Sequence, residues 1–268
     1  MERLEQLPAF RSVSIRRTAL PTSDWIDVST LCFDEAAFTP AHFAEAGMPC
    51  PDSIARSVRK RQAEFFFGRL AARRAIERAG VDRAVAQADI GIGASREPLW
   101  PRNVVGSISH TAGIAAAVVA SSQAYGGIGI DVEQIVSAST RPAVLEMALN
   151  GAEVHMLQAC PGPMSLDEKV TLVFSAKESL FKAAFGSVRR YFDFSAARLS
   201  SIDPDSGRLA LTLVEHLNEE FTLGRCCELS FTRLDGGTIL TICAFRPRPG
   251  SAAVELASRS LHSRLHSA

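Results

Sequence analysis

The stretch Gly129-Ile130-Asp131-Val132-Glu133 predicts a β-strand near the middle of the chain with two carboxylates on it. Alternate residues of a strand point to the same face, so Asp131 and Glu133 are expected side by side, about 7 Å apart. Adjacent carboxylates repel each other, and a divalent cation such as Mg²⁺ relieves that repulsion. A strand end whose two acidic side chains simply face water fits the same pattern, so the five residues leave both interpretations open.

A second motif lies about forty residues downstream, in residues 174–183 (FSAKESLFKA). On a helix, Phe174, Glu178 and Lys182 share one face because they are spaced at i, i+4 and i+8. That face would present a carboxylate with an ammonium group one turn beyond it, a pair that could join a metal ion to a phosphate. The alternative is a surface ion pair worth only about 0.2–0.5 kcal/mol.

Two upstream motifs suit anion binding. In residues 106–110 (GSISH), Ser109 and His110 come at the end of a predicted strand, where a hydroxyl and an imidazole could bind phosphate. The order of residues does not match the GxSxG pattern of a serine hydrolase. The alternative to phosphate binding is a histidine that caps the end of the strand.

In residues 59–69 (RKRQAEFFFGR), Arg61 and Arg69 share a helix face. Guanidinium groups grip phosphate with two hydrogen bonds, although most runs of charge are solvated surfaces.

The arrangement of helical and alternating patterns predicts an α+β fold rather than a doubly wound sheet, because helices and strands do not alternate singly. Residues 1–53 are expected to be irregular, and a helix over 54–79 is expected to end at Gly80. Strands over 104–109, 114–120 and 128–133 could form an antiparallel meander. Helices are predicted at 142–160 and 166–186, and further strands at 197–201, 208–215, 227–233 and 238–245.

Composition narrows the function classes. The chain has 268 residues, 47% of them hydrophobic, with 29 basic and 29 acidic residues and a formal net charge of +0. Such a chain can form a large core, and it lacks the overall basic charge of a general nucleic-acid coat. No apolar run approaches the roughly 18 residues of a membrane span, and the charged start is unlike a signal peptide. We therefore expect a cytoplasmic protein with reduced cysteines that binds neither nucleic acid nor membrane.

Taken together and in this order, the motifs resemble the 4′-phosphopantetheinyl transferases, specifically the bacterial Sfp-like and enterobactin synthetase component D-like group. The matching stretches are residues 59–69, 96–101 (REPLWP), 106–110, 129–133 and 174–182. The resemblance implies two similar α/β halves related by a pseudo-twofold axis, residues 1–125 and 126–246, with a flexible tail over 247–268. It implies a monomer that binds coenzyme A between the halves, with the phosphate-binding residues in the first half and the metal carboxylates in the second.

The resemblance also implies the reaction and its residues. The 4′-phosphopantetheine arm of coenzyme A would pass to a serine of an acyl or peptidyl carrier protein, releasing adenosine 3′,5′-bisphosphate. Such carriers serve siderophore, non-ribosomal peptide or polyketide synthesis. Mg²⁺, with Mn²⁺ as an alternative, would be the metal ion. By match, Asp131, Glu133 and Glu178 would hold the metal; Arg61, Arg69, Arg96, Ser109 and His110 would contact the phosphate or adenine end of coenzyme A; Lys182 would reach its pyrophosphate; and Glu178 and Lys182 would be catalytic.

Three departures from the family pattern bear on these roles. Phe174 stands where the helix motif commonly begins with tryptophan, which keeps apolar bulk and loses an indole donor. Residues 91–95 lack the lysine that often precedes the Arg-Glu-Pro segment, so Arg96 is its candidate substitute. Val132, between the two strand carboxylates, offers no ligand atom. The proton of the carrier serine would pass to Glu178 or to a water held by the metal, and the residues do not decide between them.

Other interpretations remain open at this point. A non-catalytic protein that binds coenzyme A would keep the fold, and another Mg²⁺-dependent phosphotransfer enzyme, such as a nuclease or nucleotidyl transferase, could use the same carboxylates. No long basic stripe with interleaved aromatics supports action on nucleic acid. A docking surface for the carrier could include residues 187–194, where Arg189 and Arg190 adjoin aromatic residues, although an ordinary turn fits equally well.

Overall fold

The computed structural model of the chain describes residues 7–22, 24–80 and 89–248. These residues form an α+β fold, as the pattern of elements predicted. The strands are β1 (Phe10–Ala19), β2 (Trp25–Phe33), β3 (Gly91–Ile92), β4 (Pro98–Leu99), β5 (Val104–Thr111), β6 (Ile114–Ser121), β7 (Gly127–Gln134), β8 (Ala197–Asp203), β9 (Arg208–Leu213), β10 (Cys226–Arg233) and β11 (Thr238–Phe245). The helices are α1 (Ala41–Glu45), α2 (Asp52–Ala55), α3 (Arg59–Arg78), α4 (Arg141–Ala148), α5 (Gly151–Ala159) and α6 (Leu166–Val188), with a 3₁₀ turn over Phe194–Ala196.

Two antiparallel sheets organise the described residues into four layers. The first sheet has the order β1-β2-β6-β5 and the second has the order β7-β11-β10-β9-β8. Apolar residues of α3 pack on the outer face of the first sheet, and apolar residues of α6 pack on the outer face of the second. A third apolar cluster joins residues of β2 and β6 to residues of β7 and β11, so the two sheets pack against each other through their inner faces. Each half is thus a sheet covered by one long helix.

The expectation that residues 1–53 are irregular is wrong for much of that segment. Strands β1 and β2 form a long antiparallel hairpin, in which Ile15 pairs with Ser29 and Thr18 with Ile26. The alternation is hard to read in the sequence because β1 is an edge strand, and most of its side chains are exposed or half-buried. Pro21 lies in the turn between the strands rather than interrupting one.

The meander expected for β5, β6 and β7 is only half right. Strands β5 and β6 form the predicted hairpin, with Ser107 opposite Val118. Strand β7 pairs instead with β11, where Asp131 lies opposite Thr241, so the chain crosses to the second sheet at Gly126. The pairing partner of β7 lies about a hundred residues away, which no local pattern reveals.

Helix boundaries follow the capping residues. The helix predicted over 142–160 is divided in two because Asn150 and Glu153 form a capping box that starts α5. The helix predicted over 54–79 consists of the short α2 and the long α3, and Gly80 has a φ of +67°, which suits the predicted stop. The last helix begins at a second capping box on Ser165 and Glu168. None of the described helices combines the length and apolar composition that crossing a bilayer requires.

A polar cluster fastens the crossing between the halves. The hydroxyl of Tyr125 donates a hydrogen bond of 2.8 Å to Asp24 in the β1–β2 turn. The guanidinium of Arg246, just after β11, pairs with the same carboxylate and lies over the Tyr125 ring. The turn of the first sheet, the crossing segment and the end of the second sheet therefore meet at one carboxylate. The tail predicted over 247–268 lies outside the described residues from 249 onward.

Candidate active site

Helix α6 lies directly on the backbone of strand β7. A Cβ atom on Gly129 would lie 2.5 Å from the backbone nitrogen of Ala183 and closer still to the carbonyl oxygen of Ser179. A Cβ on Gly127 would collide with the carbonyl oxygen of Ala183. Real Cβ atoms do not approach backbone atoms so closely, so only glycine allows this packing. The glycines thus bring the polar face of α6 beside the carboxylates of β7.

The contact at the centre of the site joins β7 to α6. The ammonium of Lys182 donates a hydrogen bond of 2.7 Å to Oδ1 of Asp131. Asp131 is 3% exposed, so this is a largely buried pair. The hydroxyl of Ser109 donates to the same carboxylate oxygen at 2.9 Å and accepts from Lys182 at 3.2 Å. Three of the residues predicted from sequence therefore form one hydrogen-bonded network.

The same serine joins the two halves. Its hydroxyl also accepts a hydrogen bond of 3.1 Å from the backbone N–H of Val132. Two residues earlier on β5, the hydroxyl of Ser107 accepts from the N–H of Ile130 at 3.0 Å. Strand β5 thus uses two side chains where a neighbouring strand would use its carbonyl groups. The sequence interpretation missed Ser107, although its spacing of two residues from Ser109 places both hydroxyls on one face of a strand.

The remaining carboxylates are close enough to affect each other's ionisation. The pKa of Glu133 is raised from 4.5 to about 8, chiefly by burial and next by the negative charge of Asp131; Lys182 opposes the rise and Glu178 adds to it. Burial also raises the pKa of Glu178, with a contribution from Asp131 and an opposing effect of Lys182. The site therefore carries three carboxylates against one ammonium group, and it favours an additional positive charge.

Whether a metal ion fits can be judged from the donor atoms. Oδ2 of Asp131 is buried and lacks a hydrogen-bond partner among the described residues, which costs free energy unless something binds it. Carboxylate oxygens are the ligands that Mg²⁺ prefers. In the part of the chain that the structure describes, no three His, Cys, Asp or Glu side chains are gathered into a formed ligand cluster. The donor set of Asp131, Glu133 and Glu178 thus suits a hard cation, while Lys182 contacts Asp131 in the present arrangement.

Arg61 and His110 meet at the other end of the site. Nη1 of Arg61 lies 3.1 Å from Nε2 of His110. Burial lowers the pKa of His110 to about 4, and the charges of Arg61 and Lys182 lower it as well. The ring is therefore neutral at pH 7. The two residues predicted to bind phosphate lie together, although they come from α3 and β5.

Arg69 shares the helix face of Arg61 but is engaged elsewhere. Its guanidinium donates to the carbonyl oxygens of Ile90 at 2.9 Å and Gly91 at 3.1 Å, and it lies over the ring of Phe65. Burial and the charge of Arg61 lower its pKa to about 10. In this arrangement the guanidinium of Arg69 holds the segment that leads to Arg96 and is not available to bind a phosphate with two hydrogen bonds.

Arg96 lines a large cleft, which has a volume of about 600 Å³. Its backbone has a φ of +67°, in the left-handed region, at the turn between β3 and β4. The cleft runs between the β4–β5 region of the first half and helix α6, and Lys182 lines its opposite wall. Trp100 and Gly106 also line it, and a Cβ on Gly106 would meet the Trp100 ring at 2.8 Å. Arg96 and Lys182 thus face one cavity from the two halves.

A buried ion pair that the sequence interpretation also missed supports Glu178. Lys177, next to it in α6, forms a bridge of 2.8 Å with Glu153, and both side chains are 3% exposed or less. Glu153 in turn accepts from the backbone N–H of Leu199 and completes the capping box of α5. Burial lowers the pKa of Lys177 while Glu153 opposes that shift. The pair fastens α6 to α5 and β8, which leaves Glu178 at the surface of a smaller cavity.

Residues 51–120 match the family model of the 4′-phosphopantetheinyl transferase N-terminal domain. Residues 127–243 match that of the 4′-phosphopantetheinyl transferase superfamily. The two matches meet at the crossing segment between the sheets and include every predicted site residue.

The chain belongs to the 4′-phosphopantetheinyl transferase superfamily. It is 39% identical over 158 residues to the enterobactin synthase component D of Escherichia coli K12, covering 58% of this chain and 70% of that protein. It is 32% identical over 175 residues to the 4′-phosphopantetheinyl transferase PptT of Mycobacterium tuberculosis, covering 63% of this chain and 72% of that protein. The resemblance drawn from the motifs is therefore confirmed.

The coverage of some relatives is lower. Against the enterobactin synthase component D of Salmonella typhi, the chain is 38% identical over 156 residues, which is 58% of this chain and 62% of that protein. The chain thus spans about three fifths of the length of the Salmonella relatives it matches.

Proposed function

We propose that this protein transfers the 4′-phosphopantetheine arm of coenzyme A to a serine hydroxyl of an acyl or peptidyl carrier protein. The observation that carries the proposal is the contact between Asp131 and Lys182, because Lys182 lines the cleft and Glu178, one turn earlier on α6, lines the neighbouring smaller cavity. In the reaction, the serine oxygen bonds to the phosphorus next to the pantetheine arm, and the bond from that phosphorus to the bridging oxygen breaks. Adenosine 3′,5′-bisphosphate leaves, and the serine proton passes to a base.

Lys182 supports the leaving group in this scheme. Its side chain is 26% exposed and faces the cleft, while Asp131 and Ser109 hold its ammonium in place. A fixed cation beside the pyrophosphate stabilises the charge that develops on the bridging oxygen, because it needs no reorganisation during the reaction. We assign Lys182 this role on the pyrophosphate.

Glu178 is the candidate base. Burial raises its pKa, and a raised pKa brings a carboxylate nearer to the range in which general bases work at neutral pH. It lines a cavity of about 280 Å³ that shares Ser95, Phe181 and Tyr191 with the large cleft. We propose that the carrier serine reaches Glu178 through this smaller cavity. Tyr191, 71% exposed at its mouth, would then contact the carrier, together with Arg189 and Arg190.

The residues that would hold Mg²⁺, with Mn²⁺ as an alternative, are Asp131, Glu133 and Glu178. When bound, the cation would act as a Lewis acid that offsets the charge of the pyrophosphate. Asp131 offers its unpartnered Oδ2 for this purpose. Strand β7 supplies two of the carboxylates and helix α6 the third, so the ligand set depends on the backbone contact at Gly129.

The phosphate end of coenzyme A would lie at Arg61 and His110, with Arg96 beside the adenine-side turn. Arg69 would act there through the segment 90–91 that it anchors. We further propose that residues 1–125 and 126–246 are the two functional halves. The names of the enterobactin synthase relatives make siderophore or non-ribosomal peptide synthesis the first pathway class to test, with polyketide synthesis next. We propose a cytoplasmic monomer, because two fused halves complete one cleft.

Intact-mass spectrometry of an apo carrier protein, incubated with this protein, coenzyme A and Mg²⁺, tests the proposal. The expected result is a gain of one phosphopantetheine on the carrier, lost on addition of EDTA and restored by excess Mg²⁺. A carrier with its acceptor serine replaced by alanine is the matched control and should gain nothing. An unchanged mass for both acyl and peptidyl carriers, while coenzyme A binds, would instead support a non-catalytic coenzyme A-binding protein.

A further inference from the structure

Glu64 lies behind the candidate phosphate-binding pair, and the sequence motifs assigned it no role. It is on α3, one turn after Arg61, and its side chain is 14% exposed. Its Oε2 lies 3.7 Å from Nη1 of Arg61 and 3.7 Å from Nδ1 of His110. A carboxylate so close to a phosphate-binding site would repel a phosphate, so its position needs an explanation.

The hydrogen bond of the imidazole determines which ring nitrogen carries the proton. A guanidinium group can only donate, so Nε2 of His110 accepts from Arg61. The neutral ring must then carry its proton on Nδ1. That atom is buried and has no hydrogen-bond partner within the described residues. The carboxylate nearest to it on α3 is Glu64, which needs a movement of less than 1 Å to reach hydrogen-bonding distance.

Burial, together with the charges around the ring, explains why the ring is neutral without a ligand. Arg61 faces it from α3 and Lys182 from α6, and both disfavour a protonated ring. Asp131 on β7 and Glu64 on α3 are the negative groups that face it. A bound phosphate dianion would take the guanidinium of Arg61 for itself and add two negative charges. Nε2 would then be free, but as an unprotonated nitrogen it could only repel the phosphate oxygen.

We propose that Glu64 is a positioning residue that accepts the Nδ1 proton of His110 and so holds Nε2 toward the 3′-phosphate of coenzyme A. On binding, the acid form of the buffer gives one proton to Nε2 and becomes its conjugate base, and the resulting imidazolium bridges the phosphate and the Glu64 carboxylate. No covalent bond of coenzyme A changes in this step. The inference rests on the proposed function, because it takes the 3′-phosphate to be the group bound at Arg61 and His110.

This arrangement would make the protein selective for a phosphorylated ribose. Dephospho-coenzyme A lacks the 3′-phosphate, so it would neither displace Arg61 nor draw a proton onto the ring. Selectivity between the two ligands then depends on Glu64, although Glu64 touches neither. Outer carboxylates that orient a metal-binding histidine typically contribute 10–100-fold to metal affinity or activity, and we take the lower end of that range for a phosphate.

The test compares Glu64→Gln with Glu77→Gln, a control on the exposed face of the same helix. Ring ¹⁵N chemical shifts of His110 report the protonated nitrogen directly. Calorimetry at pH 6 in two buffers of different ionisation enthalpy gives the affinity and the protons taken up for each ligand. We expect wild-type protein and Glu77→Gln to carry the proton on Nδ1, to take up protons with coenzyme A alone, and to prefer coenzyme A. Glu64→Gln should lose proton uptake and about tenfold of that preference, with unchanged affinity for dephospho-coenzyme A.

Several results would overturn the inference. The inference fails if the His110 ring of wild-type protein carries its proton on Nε2. This measurement needs no variant, so it stands even if Glu64→Gln does not fold. An unchanged preference for coenzyme A in Glu64→Gln would also overturn the inference, and would leave the proposed transfer reaction intact. Wild-type protein that binds coenzyme A no better than dephospho-coenzyme A would remove the 3′-phosphate site itself. Mass spectrometry of the carrier tests the transfer reaction separately, so a failure of the proposed function and a failure of this inference can be told apart.

Discussion

The ammonium of Lys182 lies 2.7 Å from Oδ1 of Asp131, and the hydroxyl of Ser109 donates to the same oxygen. Helix α6, strand β7 and strand β5 therefore meet at one carboxylate atom. Two of these elements belong to the second half and one to the first. The hydrogen-bonded network at the site therefore also connects the two halves. We expect substitutions in it to change both the rate of the reaction and the free energy of unfolding.

Replacing Asp131 with asparagine tests the centre of this network. The amide keeps the shape but removes the charge that holds Lys182 and the candidate metal. We expect kcat for carrier modification to fall about 100-fold or more, since even outer-shell changes around metal sites cost 10–100-fold. Far-UV circular dichroism should be unchanged. Glu228→Gln, on an exposed position of β10, is the control, and near-normal turnover of Asp131→Asn would contradict the metal assignment.

Ser109→Ala should reduce stability as well as activity. The hydroxyl satisfies the buried N–H of Val132, and its loss leaves that donor unpaired. An unsatisfied buried donor costs about 1–3 kcal/mol. Urea unfolding should show a lower midpoint for Ser109→Ala, whereas Ser121→Ala, at the exposed end of β6, should be close to wild type. An unchanged midpoint would mean that the halves do not depend on this hydrogen bond.

The raised pKa of Glu133 should make the free energy of unfolding depend on pH when no metal is bound. Its folded-state pKa of about 8 lies above its ordinary value of 4.5, so the folded protein binds more protons in this range and loses stability as pH rises. His110 has the opposite effect, because its pKa of about 4 lies below its ordinary 6.5 and stability rises with pH between those values. Between pH 6.5 and 8 the effect of His110 fades while that of Glu133 persists, so the part of the slope that Glu133→Gln removes reports Glu133.

In that window, with EDTA present, we expect the free energy of unfolding to fall by up to about 1.4 kcal/mol per pH unit, the limit for one proton. Glu133→Gln should abolish most of the slope. Mg²⁺ should flatten it in wild-type protein, because a bound cation favours the ionised carboxylate and releases its proton. The measurement is urea unfolding at pH 6.5, 7.25 and 8. A wild-type slope that persists in Glu133→Gln would assign the effect to another group.

Gly129→Ala tests the contact between β7 and α6. The added Cβ would overlap two backbone atoms of α6, the carbonyl oxygen of Ser179 and the nitrogen of Ala183, so the helix must move outward. Overpacking of this kind costs about 1–3 kcal/mol, and the displaced Lys182 should reduce activity as well. Gly186→Ala is the control for stability, because nothing lies within 4 Å of its Cβ position on the same helix. It should be stabilising by up to about 1 kcal/mol. Equal stability of Gly129→Ala and wild type would show that the contact is not tight.

Local patterns predicted the elements that carry the site better than they predicted the pairing of those elements. The alternation around Asp131 predicted a strand, and the spacing from Phe174 to Lys182 predicted the half-buried face of a helix; both are present. The predicted partner of β7 was incorrect because strand pairing depends on contacts between distant parts of the chain. The β1–β2 hairpin was missed because an edge strand with arginines on both faces lacks a clean alternation.

The same limit applies to individual site residues. The sequence placed Arg61 and Arg69 on one helix face, but only the fold shows that Arg69 is bonded to the carbonyl groups of Ile90 and Gly91. Ser109 was singled out for ligand binding, whereas its hydroxyl is already engaged by Val132, Asp131 and Lys182. Hydrogen-bond partners that lie tens of residues away leave no trace in local spacing.

The direct packing of α6 on the glycines of β7 also bears on how such proteins diversify. Where backbone meets backbone, no side chain sets the distance between helix and strand, so substitutions elsewhere on either element leave the spacing of Asp131, Glu178 and Lys182 unchanged. Phe181 and Tyr191 line both cavities with their side chains rather than their backbone. If the carrier docks there as proposed, we expect substitutions on the walls of those cavities to change acceptor preference without moving the reactive groups.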